Sequence, residues 1–173
     1  MSRAGLPLSP LRTLGVDPGI ARLGYSVVAG TDPSRLLVAD VIETKPDTEM
    51  HIRLLQVFNA LDTVIRDWQP QALAVEQLFF ARNVTNALVV GQARGVVLLL
   101  AAQHDLPVHE YKPSEVKQTV TGYGKADKQQ VQEMVRLLLG LERAPHPDDA
   151  ADAAAIALCH LHHERFSVAT RGR

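Results

Sequence analysis

Four acidic side chains in this sequence are spaced in a way that suits metal-assisted chemistry. Asp17 and Glu76 each end a short apolar run, whereas Asp149 and Asp152 lie three residues apart in an alanine-rich helical pattern. A carboxylate at the end of a rigid strand is well placed to act as a metal ligand or catalytic group, and residues three apart share one helix face. If the four converge, their like charges need a cation.

The donor type indicates which cation and which reaction. Carboxylate oxygens without cysteine or paired histidine ligands favour Mg²⁺ or Mn²⁺ over Zn²⁺. Two such ions, about 3.5–4 Å apart, can hold the attacking water and the leaving oxygen of a phosphodiester. The pattern therefore indicates metal-assisted phosphodiester hydrolysis.

Each of these acids also has an ordinary structural explanation. Asp17 directly precedes Pro18-Gly19, which is common turn chemistry. Acids in a first helical turn, such as Asp148 and Asp149, offset the helix dipole. Asp148 and Asp152 are four apart and can share a face too, so spacing alone leaves the partner of Asp152 open. Asp152 lies a turn further in among alanines, where an unpaired carboxylate is costly unless it meets a cation or a cleft.

The elements predicted to position these acids form an α/β fold. Strands are predicted at residues 11–17, 24–29, 35–43, 72–76 and 107–110. Helices are predicted from about 47 to 68, 83 to 104, 113 to 120, 127 to 139 and 147 to 163. Short connections between the first three strands indicate an antiparallel meander, and the intervening helices indicate parallel pairing of the last two. We therefore expect a mixed five-stranded sheet flanked by helices.

Length and composition indicate one ordinary globular domain. The chain has 173 residues, of which 46% are hydrophobic and 21% charged. We expect a single domain over residues 11–166, with flexible termini at 1–10 and 167–173. The single cysteine, Cys159, excludes an internal disulfide and fits a reducing compartment, so we expect a cytoplasmic protein. A net charge of −1 argues against non-specific coating of nucleic acid but allows a local basic surface.

Such a basic surface is suggested by four lysines, which lie between Tyr111 and Lys128 in an otherwise acidic chain. They are Lys112, Lys117, Lys125 and Lys128. Lysines of this kind are usually just solvated surface, but near a scissile phosphate they would stabilise developing charge. Phe79 and Phe80 follow Glu76 directly, and two adjacent phenylalanines cannot both face inward from a regular element. The ordinary interpretation is that one packs in the core and the other is a dimer contact, a role that suits Phe80 better.

Several motifs together resemble the RuvC family of bacterial Holliday-junction resolvases. They are GVDPG with GYSVV, AVEQLFFARN, GQARGV, EYKPSEVKQTVTGYGKADKQQVQ and DAADAAAIALCH, and they run from about Leu14 to His162. The resemblance implies a ribonuclease-H-like fold. It also implies a homodimer that resolves four-way DNA junctions in recombination and repair by paired symmetrical nicks, leaving a 5′-phosphate and a 3′-hydroxyl.

The resemblance also assigns roles to individual residues. Position by position it implies that Asp17, Glu76, Asp149 and Asp152 are the catalytic, metal-binding acids; it selects Asp149 over Asp148, and the extra Asp148 departs from the pattern. It implies DNA contacts by Phe79, Lys117 and Lys128, with Lys125 and Arg82 as further candidates. The expected cofactor is Mg²⁺, with Mn²⁺ as a substitute and two ions per active site. The expected partner is a branch-migration helicase complex of the RuvA and RuvB type.

Two other functions are compatible with parts of the pattern. A non-catalytic junction-binding module would keep the DNA contacts, although intact acids at every matched position argue against it. A sugar-kinase or actin-like nucleotide-binding fold also begins with strands, Asp and Gly. That fold needs a second phosphate-binding glycine-rich turn and a much longer chain, and this sequence has neither.

Overall fold

The chain folds into one mixed sheet with helices on both faces. The computed structural model describes residues 10–77 and 84–171, with backbone alone at 84–86 and 168–171. The strands are β1 (Arg12–Asp17), β2 (Arg22–Ala29), β3 (Arg35–Glu43), β4 (Ala72–Glu76) and β5 (Val108–Tyr111). The helices within the described residues are α1 (Met50–Trp68), α2 (Val84–Gln103), α3 (Pro113–Thr121), α4 (Lys128–Leu138) and α5 (Asp148–Arg171).

The strand order of the sheet is β3-β2-β1-β4-β5. The first three strands pair antiparallel, while β4 pairs parallel with both β1 and β5. The predicted mixed sheet of three antiparallel and two parallel strands is therefore confirmed. Because β1 and β4 run parallel with Val16 opposite Val75, the residues that follow, Asp17 and Glu76, leave the sheet at the same edge.

Two apolar layers fill the space between the sheet and its helices. On one face, Leu14, Val16 and the odd-numbered residues of β4 pack with α1 and α2. On the other face, Val28 and Ala74 pack with α3, α4 and α5. Thr13 in β1 is fully buried, so the central strand has no solvated face even though its sequence alternates in polarity.

Helix α5 lies very close to the sheet, because both sides contribute small residues at the contact. Its alanines from Ala150 to Ala157 are fully buried or nearly so. A Cβ at Gly15 would collide with the backbone carbonyl of Ala153, and a Cβ at Gly24 would collide with that of Asp149. Glycine is therefore required at these two positions for the helix to approach the strands.

Several element boundaries differ from the sequence-based predictions. Strand β2 begins at Arg22 and helix α1 begins at Met50. Residues before α1 form a turn instead, with the Thr44 hydroxyl donating to the Ile20 carbonyl and Thr48 N–H donating to the Lys45 carbonyl. Asp127 caps α4 as predicted, since its carboxylate accepts from the backbone N–H of Gln130 at 2.9 Å.

The predicted end of α5 near His163 is wrong, because the helix continues to Arg171. Arg165 in this extension donates to the backbone carbonyl of Thr31 and lies 3.3 Å from the Ser34 hydroxyl, which ties the helix to the β2–β3 turn. The backbone is helical up to Arg171, and the flexibility expected from residue 167 onward stays a prediction. Residues 1–9, 172 and 173 lie outside the described residues. None of the helices described within 10–77 and 84–171 combines the length and apolar character needed to span a membrane.

Candidate active site

A cavity lies at the C-terminal ends of the neighbouring strands β1 and β4. It has a volume of about 220 Å³. Asp17 from β1, Glu76 from β4 and Asp152 from α5 line it, together with Lys117 from α3 and Lys128 from α4. Five elements that are distant in sequence thus bring three carboxylates and two ammonium groups to one concave surface, and two of the four predicted acids reach it directly from strand ends.

The third carboxylate reaches the cavity because α5 is seated so closely on the sheet. Asp152 lies one turn into α5, beside Ala153, whose carbonyl rests on Gly15. Asp149 lies at the start of the same helix, and its backbone rests on Gly24. A larger residue at either glycine would lift the helix and move both aspartates away from the strand ends.

Crowding and burial perturb the acids strongly. Burial, and after it the negative charges of Asp152, Glu76 and Asp149, raise the pKa of Asp17 to about 7. Burial, and then the charge of Asp152, also raise the pKa of Glu76, whereas Lys117 opposes the shift. Burial raises the pKa of Asp152 against the opposing effect of Lys128. Excess negative charge in a cleft is typical of a site that holds cations.

Lys128 supplies part of the missing positive charge. Its Nζ lies 3.2 Å from an Asp152 carboxylate oxygen and 3.3 Å from an Asp148 carboxylate oxygen. Although partial burial works against it, hydrogen bonding to these two acids raises the pKa of Lys128. The lysine is therefore a fixed cation at the rim of the cavity rather than a loose surface charge.

The two aspartates at the start of α5 have different surroundings, which spacing alone did not separate. Asp148 accepts hydrogen bonds from Lys128 and from the Gln132 amide at 3.0 Å, and these lower its pKa. Asp149 instead faces Arg22, with 3.5 Å between guanidinium and carboxylate. Neither lines the cavity. Asp149 is nevertheless near enough to raise the pKa of Asp17, so it belongs to the same electrostatic cluster.

Two arginines near the site were not predicted as part of it. Arg22 bridges Asp149 and Glu43, with 3.1 Å to the latter. Arg94 is buried and contacts the backbone of Glu76. Arg94 belongs to the GQARGV motif, whose sequence does not distinguish a folding role from a DNA or dimer contact. No sequence signal singled out Arg22, which only the β2 register brings to α5.

The structure does not test the other three predicted DNA contacts, which are Lys125, Phe79 and Arg82. Lys125 is exposed in the loop before α4 and does not line the cavity. Phe79 and Arg82 lie outside the described residues. Their assigned roles stay predictions.

The donor set at the cavity fits a hard divalent cation. Asp17, Glu76 and Asp152 offer only carboxylate oxygens, and their raised pKa values reflect burial and, after it, negative charge that the nearby lysines do not fully balance. As the side chains of the described residues stand, no three acids, histidines or cysteines are close enough together to share one ion. An ion bound by Asp152 would compete with Lys128 for that carboxylate.

A sequence profile described as "Crossover junction endodeoxyribonuclease RuvC" matches residues 13–160. The chain belongs to the RuvC family. A curated RuvC from Thermomicrobium roseum is 54% identical over 155 residues, which cover 90% of this chain and 95% of that protein. A RuvC from Roseiflexus sp. is 53% identical over 156 residues, covering 90% of this chain and 93% of the relative. Both are named crossover junction endodeoxyribonucleases, so the resemblance inferred from motifs is confirmed.

Solved RuvC structures share the fold. Thermus thermophilus RuvC superposes with a TM-score of 0.85 at 40% identity, covering 91% of this chain and 97% of that one. T. thermophilus RuvC in complex with Holliday junction substrate gives a TM-score of 0.86 at 41% identity, covering 91% and 96%. The yeast mitochondrial Holliday junction resolvase Ydc2 is 17% identical with a TM-score of 0.64, covering 92% and 83%, a likeness of fold alone. The ribonuclease-H-like fold prediction is thereby confirmed.

Proposed function

We propose that this protein is a divalent-metal-dependent endonuclease that resolves Holliday junctions by paired symmetrical nicks. The observation that carries the proposal is the cavity at the ends of β1 and β4, where three carboxylates meet two lysines. Membership of the RuvC family supports it, as does the similar T. thermophilus protein whose structure contains a Holliday junction substrate. We propose that residues 11–166 form a single nuclease domain that contains this site.

The proposed cofactor is Mg²⁺, with Mn²⁺ as a substitute and two ions per site. Asp17, Glu76 and Asp152 would hold the ions, and Asp149 would join them after releasing Arg22. When bound, such ions would polarise the phosphodiester and lower the pKa of the water that they bind, so that a nucleophile is available at neutral pH. The protein contributes the rigid strand ends that fix the acids and the buried surroundings that strengthen their electrostatic interactions.

The basic residues at the rim suit a phosphate backbone. Lys117 and Lys128 line the cavity, and they would contact the phosphate that reacts and stabilise charge that develops on it. Phe79 follows Glu76 by three positions and would stack on a base at the junction centre, while Lys125 and Arg82 would contact neighbouring phosphates. These contacts give junction affinity to a chain whose net charge is only −1.

A homodimer is proposed because two cuts must be made symmetrically and because one helix face is left uncovered. On α2, Leu88 and Leu99 are 65% and 55% exposed, and a Cβ at Gly91 or Gly95 would meet nothing within 4 Å. This apolar face, with its two glycines, suits close packing against a second copy of α2. The dimer would act in the cytoplasm with a branch-migration helicase complex of the RuvA and RuvB type.

The test compares a synthetic four-way junction that has a mobile core with a linear duplex of the same sequence. Each is incubated with and without Mg²⁺, beside an Asp17→Asn variant that keeps the side-chain size. We expect paired nicks in the junction alone, only with metal, and none from the variant.

Two other outcomes would change the proposal. Junction binding without nicks under Mg²⁺ and Mn²⁺ would favour the non-catalytic binding module. Equal cutting of the linear duplex would leave a metal-dependent nuclease without junction selectivity.

A further inference from the structure

Arg94 on α2 is a buried arginine whose two terminal guanidinium nitrogens both have partners. Its side chain is on the inner face of the helix, and the residue is 7% exposed. One guanidinium nitrogen donates to the backbone carbonyl of Glu76 at 2.8 Å. The other lies 2.6 Å from a carboxylate oxygen of Glu110 on β5. A guanidinium that is buried and paired in this way is not available to DNA.

The hydrogen bond from Arg94 to Glu76 lies just beyond the last pair of residues between β4 and β1. The pairing of β4 with β1 ends at Val75 opposite Val16, whereas pairing with β5 reaches Tyr111. Glu76 is the last residue of β4, so its carbonyl has no further β1 residue to bond. Arg94 supplies the missing donor. Because a peptide is planar, holding its carbonyl restricts the direction of the Cα–Cβ bond that aims the Glu76 side chain.

Glu76 makes contacts on both faces of the sheet, through its side chain on one face and its backbone carbonyl on the other. Glu76 has the same strand parity as Ala74, which packs toward α5, and its carboxylate lines the cavity. Arg94 reaches the carbonyl of Glu76 from α2, whose buried residues pack on the opposite face. Helix α2 also carries the exposed Leu88 and Leu99. A single arginine therefore ties the cavity to the helix with the uncovered apolar face.

We propose that Arg94 is a positioning residue, which aims the Glu76 carboxylate at the ions and links that aim to the placement of α2. The inference rests on the proposed nuclease function. Glu110 orients the guanidinium and balances its charge, since a charge-assisted bond to a carboxylate fixes the planar fork. The competing explanation is that Arg94 only stabilises the fold.

Arg53 offers a matched control for that explanation. It is also buried, at 8% exposed, and its Nε donates to the Thr44 hydroxyl at 2.8 Å. Neither Arg53 nor Arg94 lines the cavity. Arg94→Ala and Arg53→Ala each remove a buried guanidinium, and only the first touches Glu76. Glu110→Ala removes the outer anchor alone, from a carboxylate that is 43% exposed, and so serves if Arg94→Ala does not fold.

The experiment measures four quantities in these variants. They are the melting temperature, the dissociation constant for a four-way junction without metal, the Mn²⁺ affinity by calorimetry, and the single-turnover nicking rate at saturating Mg²⁺. We expect Arg94→Ala to nick at least tenfold more slowly and to bind Mn²⁺ at least threefold more weakly, with junction affinity within twofold of the parent. Added guanidinium ion should restore part of the rate in this variant and none in Arg53→Ala. Glu110→Ala should show the same changes at three- to tenfold in rate.

The results separate this inference from the function on which it rests. Parental nicking and Mn²⁺ affinity in Arg94→Ala, or losses that follow the melting temperature equally in Arg53→Ala, would overturn the positioning role. If Arg94→Ala does not fold, unchanged nicking in Glu110→Ala would overturn it. If the parent makes no nicks, the proposed function fails, and the Mn²⁺ affinities still decide whether Arg94 positions Glu76.

Discussion

Lys128 is the residue that balances the acids on α5 before any ion is bound. Its ammonium lies within 3.3 Å of both Asp148 and Asp152. Because Asp148 is not part of the cavity wall, it can keep hold of Lys128 after Asp152 turns to an ion. Asp148 is thereby explained as an anchor for the lysine.

We expect Lys128→Met to slow single-turnover nicking roughly 100- to 1,000-fold, the scale on which a lost charge-stabilising donor acts. Asp148→Asn should cost less than about tenfold, because the amide oxygen of the substituted side chain can still accept a hydrogen bond from Lys128. Lys125→Met provides the control, since Lys125 is exposed and outside the cavity wall. A Lys125 variant as slow as the Lys128 variant would reduce both lysines to general charge attraction.

His160 gives the protein a pH dependence that is separate from the acids. Its ring is 1% exposed, lies 4.1 Å from the His109 ring between centroids, and has Nδ1 2.8 Å from the Tyr111 hydroxyl. Burial, followed by the nearby His109 and His163, lowers the pKa of His160 to about 4. The folded state therefore refuses a proton that the unfolded chain accepts below about pH 6.5.

Stability should accordingly fall as the pH drops from about 6.5 toward 4. This one group accounts for a loss of about 3 kcal/mol when the descent is complete. Urea unfolding at several pH values in wild type and His160→Gln measures the difference, and the variant should show a shallower acid decline. His51→Gln, at an exposed histidine, should keep the wild-type decline. Equal slopes in all three proteins would show that His160 is not the group responsible.

At the scale of elements, the seat of α5 on β1 and β2 determines the site. The helix carries Asp149 and Asp152, and its backbone touches the sheet at Gly24 and Gly15. The alanine run predicts a helix that packs closely, but no sequence pattern indicates that it packs on these two glycines. The contact fixes where along the strands the helix begins, and so where its two aspartates stand.

Gly24→Ala should push the first turn of α5 away from the sheet. Forcing one methyl into a packed backbone contact costs about 1–3 kcal/mol of unfolding free energy. Nicking should fall more than stability alone explains, because Asp149 and Asp152 move with the helix. Urea unfolding and nicking of the folded variant at low temperature separate the two effects. Wild-type values for both would contradict the close approach.

At the scale of the molecule, the uncovered face of α2 leads to a prediction about assembly. Leu99→Lys should yield a monomer in sedimentation velocity at micromolar concentration, because a buried lysine without a partner is costly in an interface. Leu137 on α4 has nearly the same exposure, 54% against 55%, and Leu137→Lys should leave the parental mass unchanged. A parent that sediments as a monomer would remove the homodimer from the proposal.

The sequence by itself determined the family, the order of strands and helices, and the three acids that reach the cavity. It could do so because strand ends, proline–glycine turns and helical spacing are local signals. Adjacent parallel strands then place Asp17 and Glu76 at one edge without further information. Boundaries were less accurate at α1, which begins at Met50, and at α5, which continues to Arg171. The contacts of Thr44 before α1 and of Arg165 within α5 are with distant backbone, which no local pattern specifies.

Only the tertiary structure decided how the charges at the site are shared. Spacing allowed either Asp148 or Asp149 to share a helix face with Asp152. In the fold, Asp148 forms an ion pair with Lys128 and Asp149 forms one with Arg22. The role of Arg94 was equally hidden, since its partners are a strand carbonyl and a carboxylate on another strand. Ion pairs and buried hydrogen bonds depend on which side chains meet across elements. That meeting is set by the register of strands and the depth of helices, which no local pattern specifies.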